Sequence, residues 1–426
     1  MKNLASHVFL CIICFLSVAT LARGQSVPAQ TGSPLYSGFE VPTLNGTLTY
    51  ALSAGERLTF GYKAANGTVS AATLSGNVGF ITPSKTKPTT ITYTGGYLAT
   101  TYGQPSTFFH DFSIAQEFNT KNVKLTASDN LRYLPETPAS GIFGVVGTGT
   151  TVGTTTTQGV LIPFATRIQN TSIADATVLL TGKTALTGTG YYGIERFPGY
   201  TGGIQTDTYD IRGGVLHRFN SLQSLAVDYS YTHFSYVNIT GQFEAQGVSA
   251  TYKRQFTRKL LVSLGAGPQV ISSYSLTHRP ASASYTADVS ATYVGSAAAG
   301  FAATGTFKRS ANGGSGITFG AINDTLSGSV TRRLTRSLQF TALGTYSQSN
   351  GLQLITAIPI DTKTVVGSTQ VNRAFTRTLS VFVSYTLQHQ SIQGYSSTSI
   401  NPLNGLQQIL GFGLTYSPNA VRLGRQ

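Results

Sequence analysis

Apolar and small polar residues alternate along most of this chain, and brief basic phrases interrupt the alternation at near-regular intervals. In Leu379–Gln388, Leu379, Val381, Val383, Tyr385 and Leu387 share one parity, while Ser380, Ser384, Thr386 and Gln388 share the other with Phe382. In Leu338–Gln348, Phe340, Ala342 and Tyr346 oppose Gln339, Thr341, Thr345 and Ser347. Leu410, Phe412, Leu414 and Tyr416 oppose Gly411, Gly413 and Thr415, and Val123–Leu134 carries a wholly polar face of Lys124, Thr126, Ser128, Asn130 and Arg132. Side chains alternate across a β-strand, so each run predicts a strand with two unlike faces. The interrupting phrase is itself repeated, as Arg254-Gln-Phe-Thr-Arg-Lys-Leu260, Arg333-Leu-Thr-Arg-Ser-Leu338 and Arg373-Ala-Phe-Thr-Arg-Thr-Leu379. Looser copies are His217–Leu222 and Glu117–Val123. From His217 onward, counting a weaker turn near Gly295, the turns fall about 40 residues apart, a period of one β-hairpin per repeat.

The pattern predicts strands at Gly46–Leu52, Arg57–Ala64, Val69–Ile81, Thr90–Thr101, Phe108–Asn119 and Val123–Leu134. After a long Gly/Thr/Val loop from Pro135 to about Leu161 come Thr166–Leu180, Thr184–Phe197, Thr206–Leu216, Ser224–Tyr236, Gly241–Phe256 and Leu260–Ser272. The last are Ala283–Tyr293, Ala297–Arg309, Asp324–Leu334, Leu338–Gln348, Thr362–Phe375, Leu379–Gln388 and Leu406–Tyr416. A closed antiparallel wall normally has an even number of strands, so the expectation is a transmembrane β-barrel of about 18–20, with one of these strands false or another near Tyr36–Val41. Tight turns alternate with longer connections, at Pro135–Leu161, Pro198–Gln205, Ser273–Ser282, Gly351–Ile360 and His389–Asn404. In such barrels the short turns are periplasmic and the long loops external. Soluble sandwiches would need several domains with linkers, and a propeller would carry a blade signature; neither is visible.

Composition fits. Charged residues are 10% of the chain, where soluble domains carry about 25%. No second long apolar run follows the N-terminus, and Gly 47, Tyr 22 and Phe 23 suit a wall with aromatic girdles, although Trp is absent. Residues 1–24 read as a signal peptide: Lys2, the apolar stretch Val8–Ala19, and Ala22-Arg23-Gly24 before a cut at Gln25. The stretch is short for a membrane helix of about 20 residues. Residues 25–43 form a short periplasmic lead, 44–416 the barrel and 417–426 a tail. Cys11 and Cys14 both lie in the leader, and the six histidines are scattered, so neither disulfide nor metal site is expected, nor any cofactor. The formal charge of +14 falls by two with the leader. It favours anionic solutes or lipid phosphates. The basic residues sit singly or in pairs in turns, unlike a nucleic-acid surface.

Tyr133-Leu-Pro-Glu-Thr-Pro138 with Gly141-Ile-Phe-Gly144, Gln104-Pro-Ser, Asn404-Gly-Leu-Gln-Gln, Gly411-Phe-Gly-Leu-Thr-Tyr-Ser-Pro418 and Leu423-Gly-Arg-Gln426 resemble an uncharacterised acidobacterial family of outer-membrane β-barrel proteins. The resemblance runs over most of the mature chain. It implies a barrel and a compartment, the bacterial outer membrane, and no substrate. One departure from outer-membrane barrels at large is that ten residues follow the terminal aromatic Tyr416. Phe412–Tyr416 is then the expected signal for the barrel assembly machinery, with Ser417–Gln426 dispensable for insertion.

No catalytic constellation stands out. There is no Gly-x-Ser-x-Gly elbow, and Gly182-Lys-Thr184 lacks the first glycine of a phosphate loop, having Thr177 there. His233 near Asp228, and His110-Asp111, are lone candidates for a rim site. Asp207 and Asp210, at a spacing of three, face opposite sides. The chemistry expected is that of a lumen. Alternation puts Lys124, Arg132, Glu195, Asp210, Arg212, Asp228, Glu244, Lys253 and Arg333 on inward faces, with a phase shift expected near Gly247. Such charges either line a pore or pair as struts. The expectation is a monomeric or homo-oligomeric porin-like channel for small hydrophilic solutes, gated by Pro135–Leu161, and not an enzyme. An export conduit, for instance for polysaccharide, or a plugged structural or adhesive barrel are the alternatives.

Overall fold

The computed structural model describes residues 46–61, 68–82, 84, 86–100, 106–135, 166–199, 203–237, 241–274, 281–295, 300–314, 319–352, 361–393 and 404–422. The expected leader and lead, residues 1–43, and the 136–165 connection lie outside the described residues. Eighteen long strands follow in order: β1 (Thr47–Phe60), β2 (Val69–Ile81), β3 (Thr89–Thr100), β4 (Thr107–Asn119), β5 (Val123–Pro135), β6 (Thr166–Leu179), β7 (Thr184–Arg196), β8 (Thr206–Asn220), β9 (Gln223–Tyr236), β10 (Gln242–Thr257), β11 (Leu260–Tyr274), β12 (Ser282–Val294), β13 (Phe301–Asn312), β14 (Ala321–Arg333), β15 (Leu338–Gly351), β16 (Asp361–Ala374), β17 (Leu379–Gln393) and β18 (Gly405–Tyr416). Each pairs antiparallel with its sequence neighbours, and β18 pairs with β1 from Leu52↔Tyr416 to Phe60↔Gln408, so the wall is closed. Followed once around, the register returns to β1 about 22 residues along, a stagger that tilts the strands by roughly 40°.

The sequence pattern yields nineteen strands and the wall has eighteen, because Gly46–Leu52 and Arg57–Ala64 are one strand. Ser53-Ala54-Gly55-Glu56 reads locally as a turn, yet Ser53 pairs with Ser75 and Thr415, and Glu56 with Ala72 and Phe412. Ladder bonds on both sides hold it extended. No phase shift occurs at Gly247; the irregularities fall at Gln255/Thr257 and Arg218/Asn220, beside the turns. The tail is not wholly outside the wall. Val421–Arg422 form a short β19 whose backbone pairs with Thr47 and Leu48, continuing the closing seam past a break after Tyr416.

One end of the barrel carries eight short connections, the longest of seven residues between β2 and β3, and the other carries nine, among them the 136–165 segment. The repeated phrase builds the short ones. Thr257 Oγ1 accepts bonds from the backbone N–H groups of Lys259 and Leu260, at 3.2 and 3.0 Å. Thr335 does the same for Ser337 and Leu338, and Thr376 for Thr378 and Leu379. A short polar side chain thereby satisfies the donors a tight turn leaves open.

Parity sets the two faces. In β17, Val383, Tyr385 and Leu387 are exposed and outward while Ser384, Thr386, Gln388 and Gln390 are buried and inward. The other three runs cited above also keep their predicted faces. The outward apolar side chains form a continuous belt that includes Leu74, Leu131, Ile211, Val215, Leu264 and Leu326. A closed wall with such a belt is a transmembrane β-barrel of the outer-membrane type, since only closure leaves no backbone group unpaired in hydrocarbon.

Two predictions concern the seam. At Gly413 an added Cβ would lie 2.4 Å from the Ala54 carbonyl oxygen and 2.5 Å from the Phe382 ring. Gly413→Val should destabilise closure by about 2 kcal/mol, read as a lower temperature at which the compact band on a semi-native gel disappears. Deleting Ser417–Gln426 removes the β19 pairs but none of the nine β1–β18 pairs. The truncated barrel should still insert and keep a compact band; failure to insert would make the tail part of the assembly signal.

Candidate functional site, the inner wall

Eight of the nine charges expected on inward faces, Lys124, Arg132, Glu195, Asp210, Arg212, Asp228, Lys253 and Arg333, occupy inward register positions. Glu244 does not. Without a phase shift at Gly247, Glu244 and Lys253 must face opposite sides, and Glu244 faces out, with its carboxylate 3.4 Å from His233 Nδ1. His233 and Asp228 are likewise on opposite faces and form no joint site, and Asp207 and Asp210 also point opposite ways.

The inward charges of β4–β8 are mostly paired. Lys124 lies 3.4 Å from Glu117 and Arg132 3.1 Å from Asp111. Arg212 lies 2.7 Å from Asp210, which also accepts a 2.6 Å bond from Thr232. Asp228 accepts a bond from Thr187. Arg167, which sequence reasoning missed, meets Glu195 at 3.2 Å with both side chains about nine-tenths buried or more. Lys308 on β13, also missed, interacts electrostatically with Arg212, Asp288 and Asp210, which draws the β12–β13 wall into the same network. Lys253 and Arg333 sit near the short-turn end, exposed, with no ion pair to other described residues. The pairs stiffen the inner wall.

The opposite sector is different. On β15–β18 and β1–β3 the inward side chains are Ser, Thr, Gln, Asn and small or apolar residues, with Arg57 as the single charge among the described residues. Arg57 is 1% exposed, and its three guanidinium nitrogens have no hydrogen-bond partner among the described residues. Gly411 lies opposite it across the seam: a Cβ there would meet Arg57 Cγ at an ordinary 3.5 Å but would fall 2.6 Å from Ser384 Oγ. A desolvated guanidinium without a partner is costly, so this position favours an anion.

A third region narrows the long-loop mouth. Phe234 on β9 and Phe243 on β10 stack at 4.3 Å, joined by Tyr236, Ala245, Ile271 and Ile204. The described ends of the β13–β14 connection, at Gly313 and at Phe319 and Gly320, pack onto them. Phe319 meets Tyr236 edge-on at 5.4 Å. Gly320, at φ 63°, packs so close that a Cβ would fall 2.6 Å from the Phe243 ring. Gly313 similarly abuts Thr206 and Phe234. The expected gate, Pro135–Leu161, lies outside the described residues except for Pro135; this second in-folded connection was not foreseen.

No family model and no curated protein sequence matches the chain. Solved structures of similar shape include OccK2 (OpdF) of Pseudomonas aeruginosa, TM-score 0.45 at 11% identity, covering 89% of this chain and 98% of that one. The Pseudomonas aeruginosa outer membrane protein OpdK aligns at TM-score 0.43 and 10% identity over 88% and 99%. The FrpB iron transporter of Neisseria meningitidis aligns at TM-score 0.44 and 7% identity over 88% and 83%. The barrel itself is established by its own ladder.

The Arg167–Glu195 pair generates a prediction. Glu195→Gln leaves a buried guanidinium facing a neutral amide and should cost about 3 kcal/mol. The check is a lower urea midpoint for unfolding in detergent, with exposed Lys124→Gln as the near-neutral comparison.

Proposed function

We propose that the protein is a porin-like outer-membrane channel for small hydrophilic solutes, with a weak preference for anions. The observation that carries this reading is the two-part inner wall: a barrel of 18 strands is wide enough to hold an aqueous lumen, and that lumen is lined by paired charges on one side and by neutral hydroxyl and amide side chains around Arg57 on the other. Paired charges hold water without trapping either ion, and the unpaired cation tilts selectivity towards anions. Lys124, Arg132 and Arg212 are the proposed lining residues on the charged side. No enzymatic role is proposed.

A second reading has its own support. The inward faces of β16–β18 are buried and the mouth carries an apolar cap. These favour a lumen that is narrow or shut at rest, as in a gated conduit or a plugged structural barrel. Kinship with acidobacterial barrel proteins, insertion by the barrel assembly machinery through Phe412–Tyr416, and a homo-oligomeric state belong to the same proposal. They rest on the sequence phrases and the terminal strand.

Single-channel recording of the mature chain in planar bilayers tests both. Steady steps with weak anion preference support the channel. Arg57→Gln should then lower the anion-to-cation permeability ratio about twofold, and charge reversal of Lys124 and Arg132 should lower it further. Phe319→Ser, which loosens the apolar cap, should raise the conductance. Silence from a correctly folded barrel, relieved by Phe319→Ser, supports the gated reading; silence in both proteins sinks the channel.

A further inference from the structure

The repeated basic phrase has a geometry that turn formation does not require. Its Phe or Leu is the last outward residue of a strand before the short turn, as in Phe256, Leu334 and Phe375, all about half exposed or more. The following Thr closes the turn. An Arg comes next, at Arg258, Arg336 or Arg377, beyond the apolar belt. A second Arg, at Arg254, Arg332 or Arg373, lies two residues back on the same outward face. Its guanidinium bends towards the rim: that of Arg254 lies 4.8 Å from the Phe256 ring centre and that of Arg373 5.3 Å from Phe375. These side chains snorkel, stem against the apolar belt and head at the level of the interfacial ring.

The charge is one-sided. The carboxylate nearest these turns, Glu117, faces the lumen and pairs with Lys124. At the long-loop end two outward arginines are matched instead, Arg196 with Asp207 at 2.6 Å and Arg309 with Asp324 at 2.7 Å, while the outward Lys363 has no ion pair among the described residues. The outward arginines of the three repeats have no ion pair with other described residues. Protein carboxylates pair the outward arginines at one end of the outer surface; at the other end the arginines are aimed at the depth where lipid phosphates lie.

We propose that the Arg-x-Phe-Thr-Arg turns form a collar that binds the headgroups of anionic phospholipids in the periplasmic leaflet. The phosphodiester supplies the negative charge that the outward arginines lack in the protein, and the Phe and Leu side chains take the upper acyl carbons. The turn is repeated because each hairpin meets the same leaflet at the same depth. The collar does not depend on whether the lumen conducts.

The test is native mass spectrometry of the detergent-folded barrel titrated with phosphatidylglycerol and, separately, with phosphatidylcholine of the same chain length. Each basic side chain near an anionic surface adds roughly fivefold to binding, so phosphatidylglycerol should be retained at least fivefold better. High salt should weaken the preference. Arg258→Gln, Arg336→Gln and Arg377→Gln together lie in exposed turns and should leave the compact gel band intact while reducing the preference; adding Arg254→Gln and Arg373→Gln should abolish it. Equal retention of the two lipids overturns the proposal. So does a preference unchanged in the five-site variant, or binding to purified peptidoglycan with no lipid preference. If the five-site variant does not fold, the turn triple alone decides: an unchanged preference there overturns the collar.

Discussion

Backbone hydrogen bonding in hydrocarbon is the constraint on which the rest of this molecule depends. An unpaired N–H or C=O in the bilayer costs several kcal/mol, so a sheet that crosses it must close on itself. Here closure joins the first strand to the eighteenth over nine residue pairs. The seam is lined inwardly by small residues, Ser53 and Gly55 on β1 and Gly411 and Gly413 on β18. Side chains at Gly413 would strike backbone across the seam. Arg57 lies opposite Gly411 in the same seam, so the one inward charge of that sector sits where the wall closes.

Closure fixes parity, and parity decides where each charge can go. The polar face of β5 meets Glu117 and Asp111 on β4 because the register sets the even, inward positions of β5 opposite the odd, inward positions of β4. Three of the inward ion pairs, Lys124–Glu117, Arg132–Asp111 and Arg167–Glu195, join neighbouring strands and tie the wall laterally beyond its backbone ladder, while Arg212–Asp210 lies within β8. Lys308 on β13 interacts electrostatically with the Asp210–Arg212 pair on β8, five strands away in sequence order, and the Phe319 ring contact with Tyr236 spans a similar interval. The aromatic contact packs one side of the barrel at the long-loop end.

The strands were legible because their signal is local. Two-residue periodicity recurs through the eighteen strands, the Thr-Arg turn punctuates it at three of the short connections, and the inward parity of Lys124, Arg132, Glu195, Asp210, Arg212, Asp228, Lys253 and Arg333 follows from the periodicity. Where local and non-local signals disagree, the pattern fails. Ser53–Glu56 has turn composition but two ladder partners, and Gly247 suggests a bulge that its neighbours on β9 and β11 do not make. Arg57 was invisible as a candidate because nothing in its own strand marks it; its meaning comes from six other strands that carry no inward charge. The aromatic cap was missed for a related reason. Phe234 and Phe243 look like girdle residues until their parity, opposite to that of His233 and Glu244, turns them inwards.

Distance from water accounts for which charges are paired and which are not. Two carboxylates face outward well inside the wall. Asp129, in mid-strand, accepts bonds from Asn170 Nδ2 at 3.0 Å and Ser172 Oγ at 2.5 Å, and Glu56 accepts one from Ser70 at 2.8 Å. A charge at that depth is expensive unless neighbouring strands supply donors, and here they do. The outward arginines of the repeated turns need no such provision, because a long side chain two residues from the rim reaches headgroups by bending. Charge on this outer surface is therefore graded by depth: satisfied by the protein in the middle, and left for the membrane interface at the short-turn end.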